Sequence, residues 1–478
     1  MKSLALLFIA CLVFNAAFAL GQIEASPKVI IVPDDYPSIT SAIANAEDGD
    51  IIYIRNGVYH DSAFVINKTI TICGEYARNT IVHLTPPSII YTHPIFGHTF
   101  TSSGNCIAIT SNNVKISGLT IRSEGGITAT NTDNITIVSN IIDTYSSCHF
   151  TGSNLTISRN TISAGSLTMM GHNLTLSKNQ LDVYSNGIES NGDYSSIHGN
   201  RINGTLYLRT SSSKIVNNIY DKLFIFYGDY NTINYNSGEL SLGNSERSCS
   251  NNTIKGNLMK GPSVWGIWIG EHCRNNVFSD NYIIDEGYFQ FEPTYCSGIV
   301  FCNQRGIGYG NAFYHNVFIN NSVNIKFYNN NPTGGNFWDN GSQGNYWSNY
   351  NGSDDNRDGT GDIPYIINSE NADNYPLMTP FTPPEIDVPL PVYYPPLHLD
   401  KLDSQLIILN NHSSSQASLE SSKAFNEVST PPVSSPPVDF KFDFNMLQIV
   451  LVVALMIVFV SIAVTKSKRN SVSYDHNA

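Results

Sequence analysis

The chain has 478 residues, 41% of them hydrophobic, and a formal net charge of −13. Few basic residues cluster outside the extreme C-terminus, so nucleic acid is not an expected partner. The acidic balance suits an exposed, soluble surface and the binding of hard cations.

In chain order, residues 1–19 read as a secretory signal peptide, with Lys2 as the basic start, an apolar run from Leu4 to Val13, and Ala17-Phe18-Ala19 as a cleavage site. Residues 28–104 differ in pattern from the repeats further along the chain. Ile30, Ile31 and Val32 predict a strand, and Ser38 to Ala46 places Ile39, Ala42, Ile43 and Ala46 on one helical face. Asp48-Gly49-Asp50 then turns the chain into a strand at Ile51–Ile54. A short helix here is expected to cover the open end of a stack of strands. His83, His93 and His98, with Met169, Met170 and His172 further on, give no definite ligand spacing, so copper is not expected.

Residues 105–335 are a repeat. An apolar residue followed three positions later by asparagine recurs about every 20 residues: Ile137 with Asn140, Ile157 with Asn160, Leu176 with Asn179, and onward to Phe313 with Asn316. Within a unit, apolar and polar residues alternate, as in Asn134-Ile135-Thr136-Ile137, which is strand periodicity. No Leu-x-x-Leu-x-Leu frame is present. The pattern predicts an all-β, right-handed parallel β-helix in which each unit is one coil, coils stack about 4.8 Å apart, and the asparagines form a column. Those asparagines are expected to serve the fold, because asparagine tolerates left-handed backbone and can bond along such a column.

The opening segment carries a resemblance. Asp34-Asp35-Tyr36-Pro37-Ser38-Ile39, Asp48-Gly49-Asp50, Gly57-Val58-Tyr59 and Asn67-Lys68-Thr69-Ile70-Thr71-Ile72 look like the start of pectin-lyase-like β-helix proteins, and more narrowly of the NosD-like family of surface or periplasmic β-helices. Asn345-Tyr346-Trp347-Ser348-Asn349-Tyr350 and Tyr375-Pro376-Leu377 resemble the C-terminal stretch of NosD-like surface proteins. The resemblance spans roughly residues 30 to 380 and implies a pectin-lyase-like solenoid. Its family name also implies a metal-accessory role. Function must still be argued from a site.

Three constellations are candidates. Aligning Ile127, Cys148, Leu167, Ile188, Leu206, Leu223, Leu240 and Ile267 as inward residues turns the next residue on each strand outward. His149, Glu189, Tyr207, Phe224 and Trp268, with Arg209 beside them, then form a strip suited to stacking sugars, unless a loop or another protein covers it. Asp143, Asp182 and Asp221 each lie three residues past a repeat asparagine, on alternate coils. They are the weak candidates for a catalytic carboxylate pair. Known β-helix enzyme patterns fail elsewhere: Asn131-Thr132-Asp133 matches one polygalacturonase element, but the paired aspartates and Gly-His-Gly are missing, and so is the Asp-Pro-His of alginate epimerases. The third constellation is Asp354, Asn356, Asp358, Thr360 and Asp362, with Gly359 between. This is an EF-hand-type calcium spacing that lacks the final bidentate carboxylate, since Tyr365 stands there. Cys249 and Cys273 hold equivalent places on successive coils and are expected to bridge, as are Cys296 and Cys302 across a short loop.

Residues 336–381 are expected to close the solenoid with Trp338 and Trp347. Residues 382–445 are rich in Pro and Ser and predict an extended stalk. Residues 446–464 carry no charge and are long enough to span a bilayer as one helix. Lys466, Lys468 and Arg469 come directly after and place a cytoplasmic tail at 465–478. The sequence thus predicts a single-pass protein of the cell membrane with an extracellular β-helix. The expected partner is a polysaccharide or other surface polymer, and the alternatives are a polysaccharide lyase or hydrolase and a metal-accessory protein.

Overall fold

The structure is a computed structural model that describes residues 27–92, 99–184, 187–243, 247–261, 264–285, 297–302, 308–327 and 335–393. The expected signal peptide, most of the stalk, the membrane span, the tail and Cys296 lie outside these residues.

The repeat folds as a parallel β-solenoid. Each coil has a first, second and third strand: Thr156–Ser158, Thr161–Ala164 and Leu167–Met170 in one coil, then Thr175–Ser177, Gln180–Val183 and Ile188–Asn191 in the next. First strands stack into a 13-stranded sheet running from Val29–Val32 to Ala312–Tyr314, and second and third strands stack into a 23-stranded one. The apolar repeat residue falls in a single row, Ile116, Ile137, Ile157, Leu176, Ile197, Ile215, Ile233 and Ile254 pairing in turn. All eight are fully buried.

The asparagine column is present and continuous. The Asn160 backbone N–H donates to Asn179 Oδ1 at 2.9 Å and its Nδ2 donates to the same oxygen at 3.1 Å. The same pair of bonds links Asn179 to Asn200, Asn200 to Asn218, Asn218 to Asn236, Asn236 to Asn257, Asn257 to Asn281, and Asn281 to Asn316. The left-handed residue, however, is the one before each asparagine: Arg159 (φ 55°), Lys178 (φ 55°), Asn217 (φ 53°), Tyr235 (φ 54°) and His315 (φ 53°). A left-handed L-residue costs roughly 1–2 kcal/mol. The buried amide offsets that cost by capping the backbone of its own turn and of the next coil. A second ladder runs Asn231, Asn252, Asn276, Asn311, Asn336 at the opposite end of the first strands.

Helix α1 (Ile39–Asn45) has Ser38 as N-cap in a capping box and buries Ile39, Ala42 and Ile43. Its last carbonyls are closed by Lys68, whose Nζ donates to Ile43 O at 3.1 Å and Ala44 O at 2.9 Å. At the other end, Trp347 stacks on Phe318 (4.4 Å between centroids) and Tyr365 (4.3 Å), and Trp338 stacks on Phe313 (4.7 Å).

The first residues of the Pro-rich stretch lie along the solenoid wall. Phe381 stacks on His315 at 4.2 Å. Seven residues on, Val388 is fully buried and its carbonyl accepts from Arg201 Nη2 at 3.0 Å. Tyr393 donates to Thr161 Oγ1 at 2.5 Å, with Arg78 over its ring. From Phe381 to Tyr393 is about 37 Å of extended chain at roughly 3.1 Å per residue. The seven coil steps from His315 back to Thr161 are about 34 Å. The two lengths agree, so the strap runs straight back along the axis beside the asparagine column.

Candidate functional site

The outward row read from the sequence holds in the structure. Thr128, His149, Thr168, Glu189, Tyr207, Phe224, Ser241 and Trp268 pair in turn on adjacent third strands. Their inward neighbours Leu206, Leu223 and Ile267 are fully buried. Strand alternation therefore places Tyr207, Phe224 and Trp268 on the outer face, where they are half-buried. Ser241, between two rings, is buried.

The structure adds residues to this row. Phe226, two residues beyond Phe224, packs at 4.6 Å from Phe224 and 5.8 Å from Tyr207. Arg209 lies over Phe226 at 4.6 Å and forms an ion pair with Glu189. Asn191 Nδ2 donates to Glu189 Oε1 at 2.8 Å. One coil further, Lys222 Nζ lies 4.4 Å over Trp265 and 3.5 Å from Glu239, and Trp265 packs 5.0 Å from Trp268. The outcome is a platform of five rings interleaved with two ion pairs. Partial burial pushes the Glu189 carboxyl up. Hydrogen bonds from Asn191 and Arg209, with the charges of Arg209 and His149, outweigh this and hold it below its ordinary value. Glu189 is therefore a fixed carboxylate.

Asp143 and Asp182 share a row on the second strands with Ser163 between them, so two coil steps, about 9.6 Å, separate their backbones. Asp182 accepts from Asn203 Nδ2 at 3.0 Å. Asp221 is exposed on the long strand Ile219–Tyr227, just ahead of Lys222. The row of Asp143 and Asp182 is not part of the ring platform.

In the acidic loop the side-chain oxygens take the loop's own amides. Asp354 accepts from the N–H of Asp358 and of Gly359 at 3.1 Å each, Asn356 accepts from Asp358 N–H at 2.9 Å, Asp358 accepts from Thr360 N–H at 2.8 Å, and Asp362 accepts from Asp355 N–H at 2.6 Å. Among the described residues, no group of three or more His, Cys, Asp and Glu is placed to hold a metal ion.

The expected bridge between Cys249 and Cys273 is corrected. Both are buried thiols in neighbouring coils, hydrogen-bonded to each other, and each also faces a carbonyl at 3.4 Å, Ile225 O and Leu242 O respectively. Equivalent positions in a parallel stack have parallel Cβ vectors about 4.8 Å apart, beyond the separation a disulfide prefers. No disulfide is present among the described residues. The second expected pair, Cys296 with Cys302, lies outside the described residues at Cys296. Nor, among the described residues, is any helix long and apolar enough to cross a membrane. The expected span lies outside them.

Residues 229–352, roughly a quarter of the chain, match the family model described as NosD, periplasmic copper-binding protein. The resemblance to NosD-like β-helices is thus shown on the C-terminal coils. No curated protein matches the chain. Among solved structures, the chain is similar to the catalytic domain of a GH87 α-1,3-glucanase in complex with nigerose (14% identity, 66% of this chain and 70% of that one, TM-score 0.38). It is also similar to a mannuronic acid-specific polysaccharide family 6 lyase from human gut microbiota (12%, 64% and 83%, TM-score 0.33) and to a Yersinia enterocolitica family 28 exopolygalacturonase (12%, 66% and 68%, TM-score 0.31). At these values the likeness is one of stacked coils and carries no argument about substrate.

Proposed function

We propose that the chain is a surface protein whose solenoid binds a polysaccharide along its third strands. The observation that supports this reading is the platform of Tyr207, Phe224, Phe226, Trp265 and Trp268 on three of four successive coils, with the coil of Ser241 between Phe224 and Trp268, edged by the Glu189–Arg209 pair. Rings offer flat apolar faces to the CH-bearing faces of sugars, and the carboxylate and guanidinium supply hydrogen bonds to hydroxyls. Coils repeat about every 4.8 Å, close to the length of one sugar unit, so a chain laid along the axis meets one coil per unit. Each ring contributes on the order of 1 kcal/mol, so several must act together. The reading is of binding, since Asp143 and Asp182 lie on the second strands, away from the rings, and Asp221 alone shares a strand with Phe224.

Around this site, we propose export by the segment at 1–19, anchoring by 446–464, α1 as the shield of the first coil, and calcium in the acidic loop. A carboxylate that accepts an amide N–H keeps further lone pairs for a cation. The binding test is affinity electrophoresis of the parent and a Tyr207→Ala, Phe224→Ala, Trp268→Ala triple variant in gels containing a panel of polysaccharides. Retardation of the parent by at least one polymer, lost in a variant with unchanged far-UV circular dichroism, is expected. Equal migration of the two proteins in every gel would refute the reading.

A further inference from the structure

The platform also carries information about the charge of its ligand. Two cations lie among the rings, and each is already answered by a carboxylate on the adjacent coil. Arg209 pairs with Glu189 and is further held by Asn191 Oδ1 at 3.3 Å and by the Phe226 ring. Lys222 is 3.5 Å from Glu239 and lies on Trp265. Both pairs are about two-thirds shielded or more, with side-chain exposures of 34% and 31% for the first and 25% and 27% for the second. A polyuronate or sulfated glycan needs a cation free to meet each anionic group. Here it would have to displace a carboxylate that is fixed in place, and Glu189 holds its charge firmly because its hydrogen bonds lower its pKa. The protein as a whole carries −13, so a polyanion is also repelled at long range.

What remains on offer is five ring faces, paired ions with unused lone pairs and N–H groups at their edges, and the outward Thr168 and His149 on the coils before. We infer, resting on the polysaccharide reading above, that the platform selects neutral glycans, hexose polymers without carboxylate or sulfate, and that the Glu189–Arg209 and Lys222–Glu239 pairs are the device that rejects acidic ones. Like-charge rejection of this kind is specificity by an unfavourable contact with the wrong ligand.

The test uses the full chain in affinity gels containing laminarin, dextran or hydroxyethylcellulose on the neutral side and polygalacturonate, alginate or chondroitin sulfate on the acidic side, at 20 and 300 mM NaCl. At least one neutral polymer is expected to retard the protein to the same extent at both salt concentrations, with no retardation by the acidic set. Glu189→Gln, which frees Arg209 without changing shape, is expected to gain at least tenfold in affinity for polygalacturonate at 20 mM NaCl and to lose that gain at 300 mM. Ring-dependent, salt-sensitive binding of an acidic polymer by the parent would overturn the neutral assignment while leaving the polysaccharide reading intact. Absence of any retardation would overturn both. A Glu189→Gln protein with the parent's far-UV circular dichroism that gains nothing for polygalacturonate would remove the ion pair from the selectivity argument and overturn the proposed device.

Discussion

The asparagine column makes a quantitative prediction at Asn200. Its Oδ1 accepts from the Asn179 N–H at 3.0 Å and from Asn179 Nδ2 at 2.9 Å, and its Nδ2 donates to Leu176 O at 2.7 Å and Asn218 Oδ1 at 2.9 Å. The residue is fully buried. Asn200→Ala removes all four bonds and strands two buried donors on Asn179, each at about 1–3 kcal/mol. With the vacated space, the expected loss is roughly 3–6 kcal/mol. Asn200→Asp is nearly isosteric but sets a second acceptor against Leu176 O and Asn218 Oδ1, so it should be worse at pH 7 and improve as the carboxyl protonates. The exposed Asn203, whose Nδ2 donates to Asp182 Oδ1 at 3.0 Å, serves as control, and its alanine variant should stay within about 0.5 kcal/mol of the parent. Urea midpoints followed by circular dichroism would report these differences. A loss below about 1 kcal/mol for Asn200→Ala, or equal losses at Asn200 and Asn203, would show that the column results from coil stacking and does not sustain it.

Three further outcomes rest on the same geometry. Asp373 is fully buried, and burial lifts its carboxyl from 3.8 to about 6 despite bonds from Asn345, Trp347 and Tyr375. The folded state therefore holds that proton more tightly, so this group's contribution to stability falls as pH rises from about 4 to about 6 and is level above. The difference amounts to roughly 3 kcal/mol. Asp373→Asn should remove that slope from urea midpoints measured between pH 4 and 7, and parallel curves for the two proteins would contradict it. Val388→Asp should release the strap, because a charge cannot stay where that side chain is buried. Trypsin digestion with mass readout should then show faster cleavage after Arg201, whose Nη2 is bound to the strap, and unchanged cleavage would count against docking. Calcium at about 1 mM should raise the melting temperature of the parent but not of an Asp354→Ala, Asp358→Ala variant, and no shift in the parent would leave the acidic loop as a plain turn.

The solenoid was legible because its signal is periodic. A strand row repeats with the coil, so Ile137, Ile157 and Leu176 could be aligned by counting and their outward neighbours identified. The ring platform was only half legible. Phe226 belongs to the second outward position of its strand, two beyond Phe224, and period-2 counting could have found it. Trp265 and Lys222 required the actual stacking of a strand whose register shifts between Ile219 and Lys222. The left-handed role went to Arg159, Lys178 and Tyr235, residues with little intrinsic taste for it, because the turn is imposed by the buried asparagine next in the chain. The strap left no local trace, since its bonds join residues 170 to 232 positions apart. A Pro-rich composition reads the same whether the chain leaves the body or lies along it.

The column also explains why a carboxylate is buried at its far end. Every step has one polarity, with the backbone N–H and Nδ2 of one asparagine donating to Oδ1 of the next coil. The Asn140 side chain closes the first end by accepting from Leu119 N–H and donating to Ile116 O. At the last step, Asn345 Nδ2 donates to Phe313 O at 2.9 Å and Trp338 O at 2.7 Å, which leaves its backbone N–H to place with no further coil asparagine to accept it. Another asparagine there would carry its own two donors onward and only defer the problem. Asp373 ends the series because an ionised carboxylate accepts and donates nothing: its Oδ2 takes Asn345 N–H at 2.7 Å and Trp347 Nε1 at 2.9 Å, and its Oδ1 takes Tyr375 N–H at 3.1 Å. The raised pKa is the cost of ending a neutral ladder with a buried anion. It places the pH-sensitive point of the fold on the coil where the solenoid stops, beside the tryptophans that cover its end.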